Sequence, residues 1–357
     1  MRTMRTTRTH PSARPASLVA VTASLVLSLA ACSSGSADDE AGASSPAPTT
    51  VTVANAKPTL TTAERRGETV TVEDDAVARG SVEVPFQPKA VIPFDLSALD
   101  TIDALGAGDA VVALPGGLTL PDYLSEYADL PAVGTLFEPD LEAISEIDPD
   151  LIITGARSTG QYDALSQLAT TIDLSGAPGG GFDPATALER AAQLGEIFGK
   201  QDVAAAKAEA IEATIAQIKP LTEKAGSALV LQVTGGEYGA YAEGSRFGYF
   251  FDELGLTPAV AQADLPAAEG GSHGDGVSNE YLYQANPDWL IVFDRGAATG
   301  QSNEAAQEVL DNELVGRTTA AQKSQIVYLS PTELYILTNG LTSIETVLGE
   351  VKTAFSA

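Results

Sequence analysis

Between residues 184 and 224 the chain runs almost without a break through Ala, Glu, Lys and Gln, marked only by Phe198-Gly199-Lys200-Gln201-Asp202 and by Pro220. That composition favours helix at nearly every position. It also holds few large apolar side chains, so this helical stretch needs cores supplied by its surroundings. The flanks fix what those surroundings are. Before it, apolar runs at 90–94, 110–114, 151–154 and 170–174 read as strands, alternating with helical patterns over 96–105, from 139 and over 162–169. After it, strands are predicted at 228–233, 289–293 and 325–329, with helices between them and a last helix over 342–355. Strand and helix in alternation indicate a mainly parallel sheet flanked by helices. The expected fold class is therefore α/β: two lobes, each with such a sheet, joined by one long helix. Ligand in such an arrangement belongs in the cleft where the strand ends of the two lobes face each other.

The N-terminus follows a secretory plan. Arg2, Arg5, Arg8 and Arg14 precede a short apolar run over 18–29, which closes on Leu29-Ala30-Ala31-Cys32. The run is too short, and too interrupted by Ser and Thr, for a membrane span. A small-residue site ending in the chain's one cysteine resembles a bacterial lipobox, which implies cleavage before Cys32 and lipid attachment to its sulfur. The alternative, an unpaired thiol on an ordinary secreted protein, is a liability in an oxidising compartment. Residues 33–67 are rich in Ser, Ala, Thr and Pro and bury too little to offset ordering, so they read as a flexible tether. Two alternating runs, 69–73 and 80–85, then read as a strand pair with a turn between them. The expected organisation is a signal peptide over 1–31, a tether over 32–67, an N-terminal lobe over 68–183, the helical segment over 184–224 and a C-terminal lobe over 225–357.

The formal net charge is −28, and residues 1–31 contain four of the 20 basic residues and none of the 48 acidic ones. A mature chain without them is more acidic still. Such a field disfavours nucleic acid, whose binding needs cations against phosphate.

One stretch tests for catalysis. Gly270-Gly271-Ser272-His273-Gly274 matches the G-x-S-x-G elbow of serine hydrolases, but that fold needs a histidine well downstream and none follows position 273. A secreted hydrolase using Ser272 thus remains a distant alternative. Phosphate-cradling and dinucleotide glycine motifs are absent, and no thiol is free for redox work. Of two histidines, His10 falls in the expected signal peptide, so His273 is the one imidazole of the mature chain. One histidine cannot cage a metal, since protein sites use three or four ligands. It can complete the shell of a metal already wrapped by a chelator.

Eight arginines lie beyond residue 31, and three follow predicted strands or open helices in the region between lobes: Arg157, Arg246 and Arg295. Each alone reads best as an ordinary ion-pair partner. Together at the carboxyl ends of the sheets they would make a cationic floor for an anionic ligand, with fixed charge-assisted donors. Tyr335 follows the 325–329 strand; such a tyrosine is usually half-buried packing, yet its phenol can face the cleft, where hard Fe(III) accepts phenolate oxygen.

With the lipobox, these residues resemble a known family. Val133-Gly134-Thr135-Leu136-Phe137-Glu138-Pro139-Asp140, Pro149-Asp150-Leu151-Ile152-Ile153, Gly244-Ser245-Arg246-Phe247-Gly248, Ser272-His273-Gly274 with Glu280 and Asn286-Pro287-Asp288, Phe293-Asp294-Arg295-Gly296 and Asp311-Asn312-Glu313-Leu314-Val315 are similar to siderophore-binding lipoproteins of iron-uptake ABC transporters, in particular those for ferric catecholates. The resemblance runs from about residue 82 to 355. It implies a binding protein and not an enzyme, a monomer without intrinsic cofactor, held by lipid at the outer face of the cytoplasmic membrane. Fe(III) arrives bound to the siderophore, and an ABC permease receives it. The same resemblance implies that Arg157, Arg246 and Arg295 contact catecholate oxygens, that His273 and Tyr335 supply two iron ligands when the siderophore is tetradentate, and that Glu142 and Glu280 dock on the permease. Leu334 and Thr338-Asn339-Gly340 depart from it, since the family often has Trp before the tyrosine and a glycine pair after it. Other cargoes in the same class are a ferric hydroxamate, haem or cobalamin.

Overall fold

The computed structural model describes residues 49–65, 68–117, 119–176, 181–266, 275–300 and 305–356. It opens with a long antiparallel hairpin of β1 (Thr50–Arg65) and β2 (Glu68–Pro85). Both elements correct the sequence reading. Residues 50–65, expected as tether, are strand, and the two runs at 69–73 and 80–85 belong to one continuous strand without a turn between them. The Ala and Thr content that suggested a tether conceals a β pattern, Thr50-Val51-Thr52-Val53, which faces Val84 and Val82 across the ladder. Val53 and Val84 are buried in the core, and that burial fixes the hairpin.

The N-terminal lobe holds a three-stranded parallel sheet of β3 (Val91–Pro93), β4 (Leu151–Thr154) and β5 (Thr171–Asp173), in that order and buried throughout. Helices α1 (Leu96–Ala104), α2 (Leu141–Ile147) and α3 (Tyr162–Leu165) surround it. Asp95 caps α1 by accepting from Ser97 N, and Asp140 caps α2 by accepting from Glu142 N and Ala143 N. The strand expected at 110–114 shrinks to isolated bridges, Val91 with Val111 and Leu114 with Ala132, because the segment changes partner within four residues.

The helical segment divides at Gly199, whose φ of 65° ends α4 (Pro184–Phe198) in the left-handed conformation glycine supplies cheaply. Helix α5 (Gln201–Thr222) follows, long enough at 1.5 Å per residue to span about 33 Å. Pro220 sits within its last turn without ending it.

The C-terminal lobe contains β6 (Ser227–Thr234), β7 (Glu237–Tyr241), α6 (Tyr249–Asp252), β8 (Thr257–Pro258), β9 (Asp275–Val277), α7 (Asn279–Ala285), β10 (Trp289–Asp294), α8 (Arg295–Thr299), α9 (Ala306–Leu310), α10 (Thr319–Gln322), β11 (Ile326–Tyr328), α11 (Pro331–Tyr335) and α12 (Leu341–Phe355). Its sheet runs β11-β10-β6-β7-β9, parallel over the first three strands and antiparallel beyond, with β8 pairing the start of β6. Residues along the central strands point alternately to two cores. Leu229, Leu231, Leu290 and Val292 face an outer one, whereas Val230, Ile291 and Phe293 face an inner one. The N-terminal sheet repeats the pattern, with Ile92 and Ile152 outward and Val91, Leu151 and Ile153 inward. The two inner faces belong to one continuous apolar cluster that also takes in Ile211 and Ile218 of α5 and Ile344, Val347 and Val351 of α12. The lobes thus share a core, with α12 returning from the second lobe to the first. Asp100 of α1 caps that returning helix, accepting from Thr342 N at 2.8 Å and Ser343 N at 2.9 Å.

Candidate functional site: an arginine-walled tyrosine between the lobes

Each cleft residue stands just beyond a strand. Arg157 lies in the 3-10 turn Ala156–Gln161 that follows β4. A Cβ at the intervening Gly155 would overlap the Asp95 carboxylate, so a larger residue there would displace the side chain that caps α1. Arg246 lies in the turn between β7 and α6, and its carbonyl accepts from Phe182 N at 3.0 Å, bringing the segment before α4 against it. Arg295 opens α8 at the end of β10, where Asp294 caps the helix through Ala297 N at 2.8 Å and also accepts from Ala306 N at 3.0 Å. Tyr335 closes α11, just past β11.

The fold brings these four side chains together. The guanidinium carbons of Arg157, Arg246 and Arg295 stand 5.4, 5.2 and 5.4 Å from the centroid of the Tyr335 ring, within cation–π range. Arg295 Nε donates to the Tyr335 hydroxyl at 2.9 Å. Arg157 reaches across from the first lobe and donates to the carbonyls of Tyr335 at 2.9 Å and Ile336 at 3.4 Å, groups that the end of a helix leaves without internal donors. Beneath the cluster lies an aromatic bed: Phe293 stacks on Tyr335 with centroids 6.2 Å apart, and Phe247 packs on Phe293 at 4.8 Å. Neither phenylalanine was singled out from sequence. The signal was present in both strings quoted above, since each aromatic adjoins or nearly adjoins a site arginine.

The electrostatics are unusual for so acidic a chain. Burial presses the Arg157 guanidinium below the usual arginine range, and neighbouring Arg246 adds to it. Burial alone would raise the Tyr335 phenol, but the hydrogen bond from Arg295 and the charges of the three arginines outweigh it and leave the phenol below its ordinary value. Arg157 and Arg295 take part in none of the ion pairs among the described residues, which join Arg190 to Asp95, Lys207 to Glu345, Lys219 to Glu253 and Lys323 to Asp288. Such a site suits a hard, anionic oxygen donor.

Two of the remaining expected residues are on other elements. Glu142 is exposed in the first turn of α2 and Glu280 in the first turn of α7, where Glu280's own backbone N–H and the Ser278 hydroxyl hold its carboxyl below the usual range. His273, Ser272 and Cys32 fall outside the described residues. At the departure from the family pattern, Leu334 is fully buried, and Asn339 takes the positive φ, 71°, that a glycine would otherwise supply. Its side chain then ties the α11–α12 connection to the first lobe, donating to Gly181 O at 2.9 Å and accepting from Asp183 N at 2.7 Å.

Residues 91–332 match the periplasmic binding protein family. The petrobactin-binding protein YclQ of Bacillus subtilis is 36% identical over 296 residues, covering 81% of this chain and 89% of its own. Its crystal structure aligns with a TM-score of 0.69 at 33% identity, over 84% of this chain and 99% of that one. A TroA-like periplasmic binding protein from Xylanimonas cellulosilytica aligns with a TM-score of 0.72 at 35% identity, over 86% and 100%. The catecholate-siderophore binding protein VctP from Vibrio cholerae aligns with a TM-score of 0.69 at 29% identity, over 83% and 100%.

Proposed function

The chain belongs to the periplasmic binding protein family, and from that premise we propose that it captures a ferric catecholate siderophore between its lobes and delivers it to an ABC permease for iron uptake. The observation that carries the reading is the Tyr335 phenol, hydrogen-bonded by Arg295 and ringed by three guanidinium groups at 5.2–5.4 Å. Ferric catecholates are anionic and present their charge on hard oxygens around a planar aromatic frame. Guanidinium meets that charge with fixed donors and stacks on the rings, which an ammonium group does less well. The relatives support the cargo class: YclQ is a petrobactin-binding protein and VctP a catecholate-siderophore binding protein.

A hexadentate siderophore needs the arginines alone. With a tetradentate one, Tyr335 and His273 fill the two open positions on iron; the acidified phenol lowers the cost of presenting a phenolate. The protein does no covalent chemistry. Lipid on Cys32 holds it at the outer face of the cytoplasmic membrane, and Glu142 and Glu280, one per lobe, meet cations on the permease. It works as a monomer.

Titration of the purified protein with ferric petrobactin, ferric 2,3-dihydroxybenzoate, ferric citrate and ferric desferrioxamine, followed by tryptophan and tyrosine quenching, tests the reading. The two catecholates are expected to bind most tightly. Arg295→Ala is expected to weaken them by about tenfold or more, the loss of a charge-assisted contact. Equal or tighter binding of citrate or the hydroxamate would reassign the cargo, and binding of none would end the iron reading.

A further inference from the structure

Among the described residues the most exposed large apolar side chains are Phe137, 61% exposed, and Leu141, 41% exposed. Single exposed apolar groups are ordinary, but Phe137 sits on a loop that is held with care, and Leu141 opens α2 just after it. Thr135 N donates to Glu138 O at 2.9 Å, while Thr135 Oγ1 accepts from Glu138 N at 3.1 Å and Phe137 N at 3.4 Å. Gly134, at φ 86°, packs so tightly under the turn that a Cβ would overlap Glu138 O and Asp140 N. The loop is therefore built to keep one conformation, and that conformation leaves a phenyl ring in water.

Two further observations say what should cover it. Glu138, Asp140, Glu142 and Glu146, close in the chain to these two residues, are exposed, so a matching surface has an apolar socket bordered by cations, and an anionic lipid surface is repelled. The loop is also bonded to the cleft. Gln161 Nε2 donates to Phe137 O at 2.8 Å, and Gln161 ends the same short turn that carries Arg157. The partner with most use for a contact coupled to the cargo site is the one that takes the cargo.

We propose that Phe137 and Leu141 are the apolar anchor by which the first lobe docks on the outer face of the ABC permease, seated in a socket lined by apolar side chains and rimmed with Arg or Lys. This rests on the docking role proposed for Glu142 and adds to the carboxylate a desolvated centre, the part of an interface that dominates its energy.

The test compares wild type, Phe137→Ser/Leu141→Ser and Glu142→Gln in two measurements: affinity for whichever catecholate of the panel binds, and uptake of 55Fe on that chelate by cells carrying the protein's own permease. The double variant is expected to keep its chelate affinity within about twofold while uptake falls about tenfold. Phe137→Ala alone, which alters only an exposed ring, is expected to lower uptake in the same direction with the chelate affinity again retained as the measure of intact folding. Unchanged uptake in the double variant while Glu142→Gln lowers it would overturn the anchor and leave the docking reading standing. Unchanged uptake in both would remove docking from this face. Undiminished uptake together with Phe137-dependent self-association in sedimentation, or Phe137-dependent pelleting with phosphatidylglycerol vesicles, would assign the patch to a second copy or to the membrane instead.

Discussion

Tyr335 is where opposing influences on a single side chain can be read separately. Burial opposes its ionisation, while the Arg295 hydrogen bond and three nearby cations favour it and prevail. Ultraviolet titration should therefore show one tyrosine ionising below the rest, a component absent from Tyr335→Phe and shifted upward in Arg295→Ala. The sign for stability follows by linkage. A phenol whose folded value is depressed stabilises the fold fully above the unfolded tyrosine value, about 10, and loses that contribution as pH falls through the lowered folded value. The stability gap between wild type and Tyr335→Phe should thus move in favour of wild type in that alkaline window, measured by urea denaturation; a gap independent of pH would mean the phenol is not perturbed. Arg157, Arg295 and Tyr335 are legible in the chain because each follows an expected strand, and strand ends converge in an α/β fold, whereas Arg246 is legible only as the opening of a helix. What Arg157 holds was not legible. Its donors go to backbone carbonyls of Tyr335 and Ile336 across the cleft, some 180 residues away, and no local pattern announces such a partner.

At the scale of elements, periodicity revealed what local composition favoured and missed what tertiary pairing imposed. The central strands and α12 lie close to their expected positions because both faces or one whole stripe are apolar. Strand β1 was hidden in an Ala- and Thr-rich stretch that becomes a strand only against β2. Strand β7 was passed over although Gly235-Gly236, both at positive φ, form the two-residue loop typical of a hairpin. The start of α12 shows the same dependence on distant partners. Its first N–H groups are capped by Asp100, which is fully buried and also accepts from the hydroxyls of Ser343 at 2.6 Å and Tyr123 at 3.1 Å. Asp100→Ala leaves those donors unmet and is expected to cost about 2–4 kcal/mol, read from the urea midpoint. Burial raises the Asp100 carboxyl above its usual value. The folded state then holds the proton more tightly than the unfolded chain, so this contribution is complete below the unfolded carboxylate value, about 3.9, and is lost as pH rises through the raised folded one. Relative to Asp100→Asn, wild type should gain stability on acidification; a gap that narrows instead would show that the helix start and hydroxyls hold the carboxyl ionised.

For the whole molecule, the shared inner core limits what the lobes can do. A hinge that opened them widely would have to part α12 from α1, α4 and α5 and expose Ile211, Ile218, Ile344, Val347 and Val351, each buried to within 1%. At about 25 cal/mol per Å2 of apolar surface, that is too costly for a routine motion, so the cleft is largely preformed and affinity does not have to offset a large closure. The same core makes the lobes one cooperative unit despite their separate sheets. Ile218→Ala, fully buried in the inner core, should cost about 2–5 kcal/mol through lost packing and a residual cavity. Because the core is common, that loss should lower the unfolding midpoint of both lobes together. Trp289, stacked on Phe355 with ring centroids 4.1 Å apart and donating to Ala225 O at 3.0 Å, reports on the second lobe, while far-ultraviolet circular dichroism reports on all helices and strands. In wild type and in Ile218→Ala the two signals are expected to change in a single coincident transition. Separated transitions, with the tryptophan signal moving before or after the dichroism, would mean the lobes unfold independently and would reopen the case for a wide hinge.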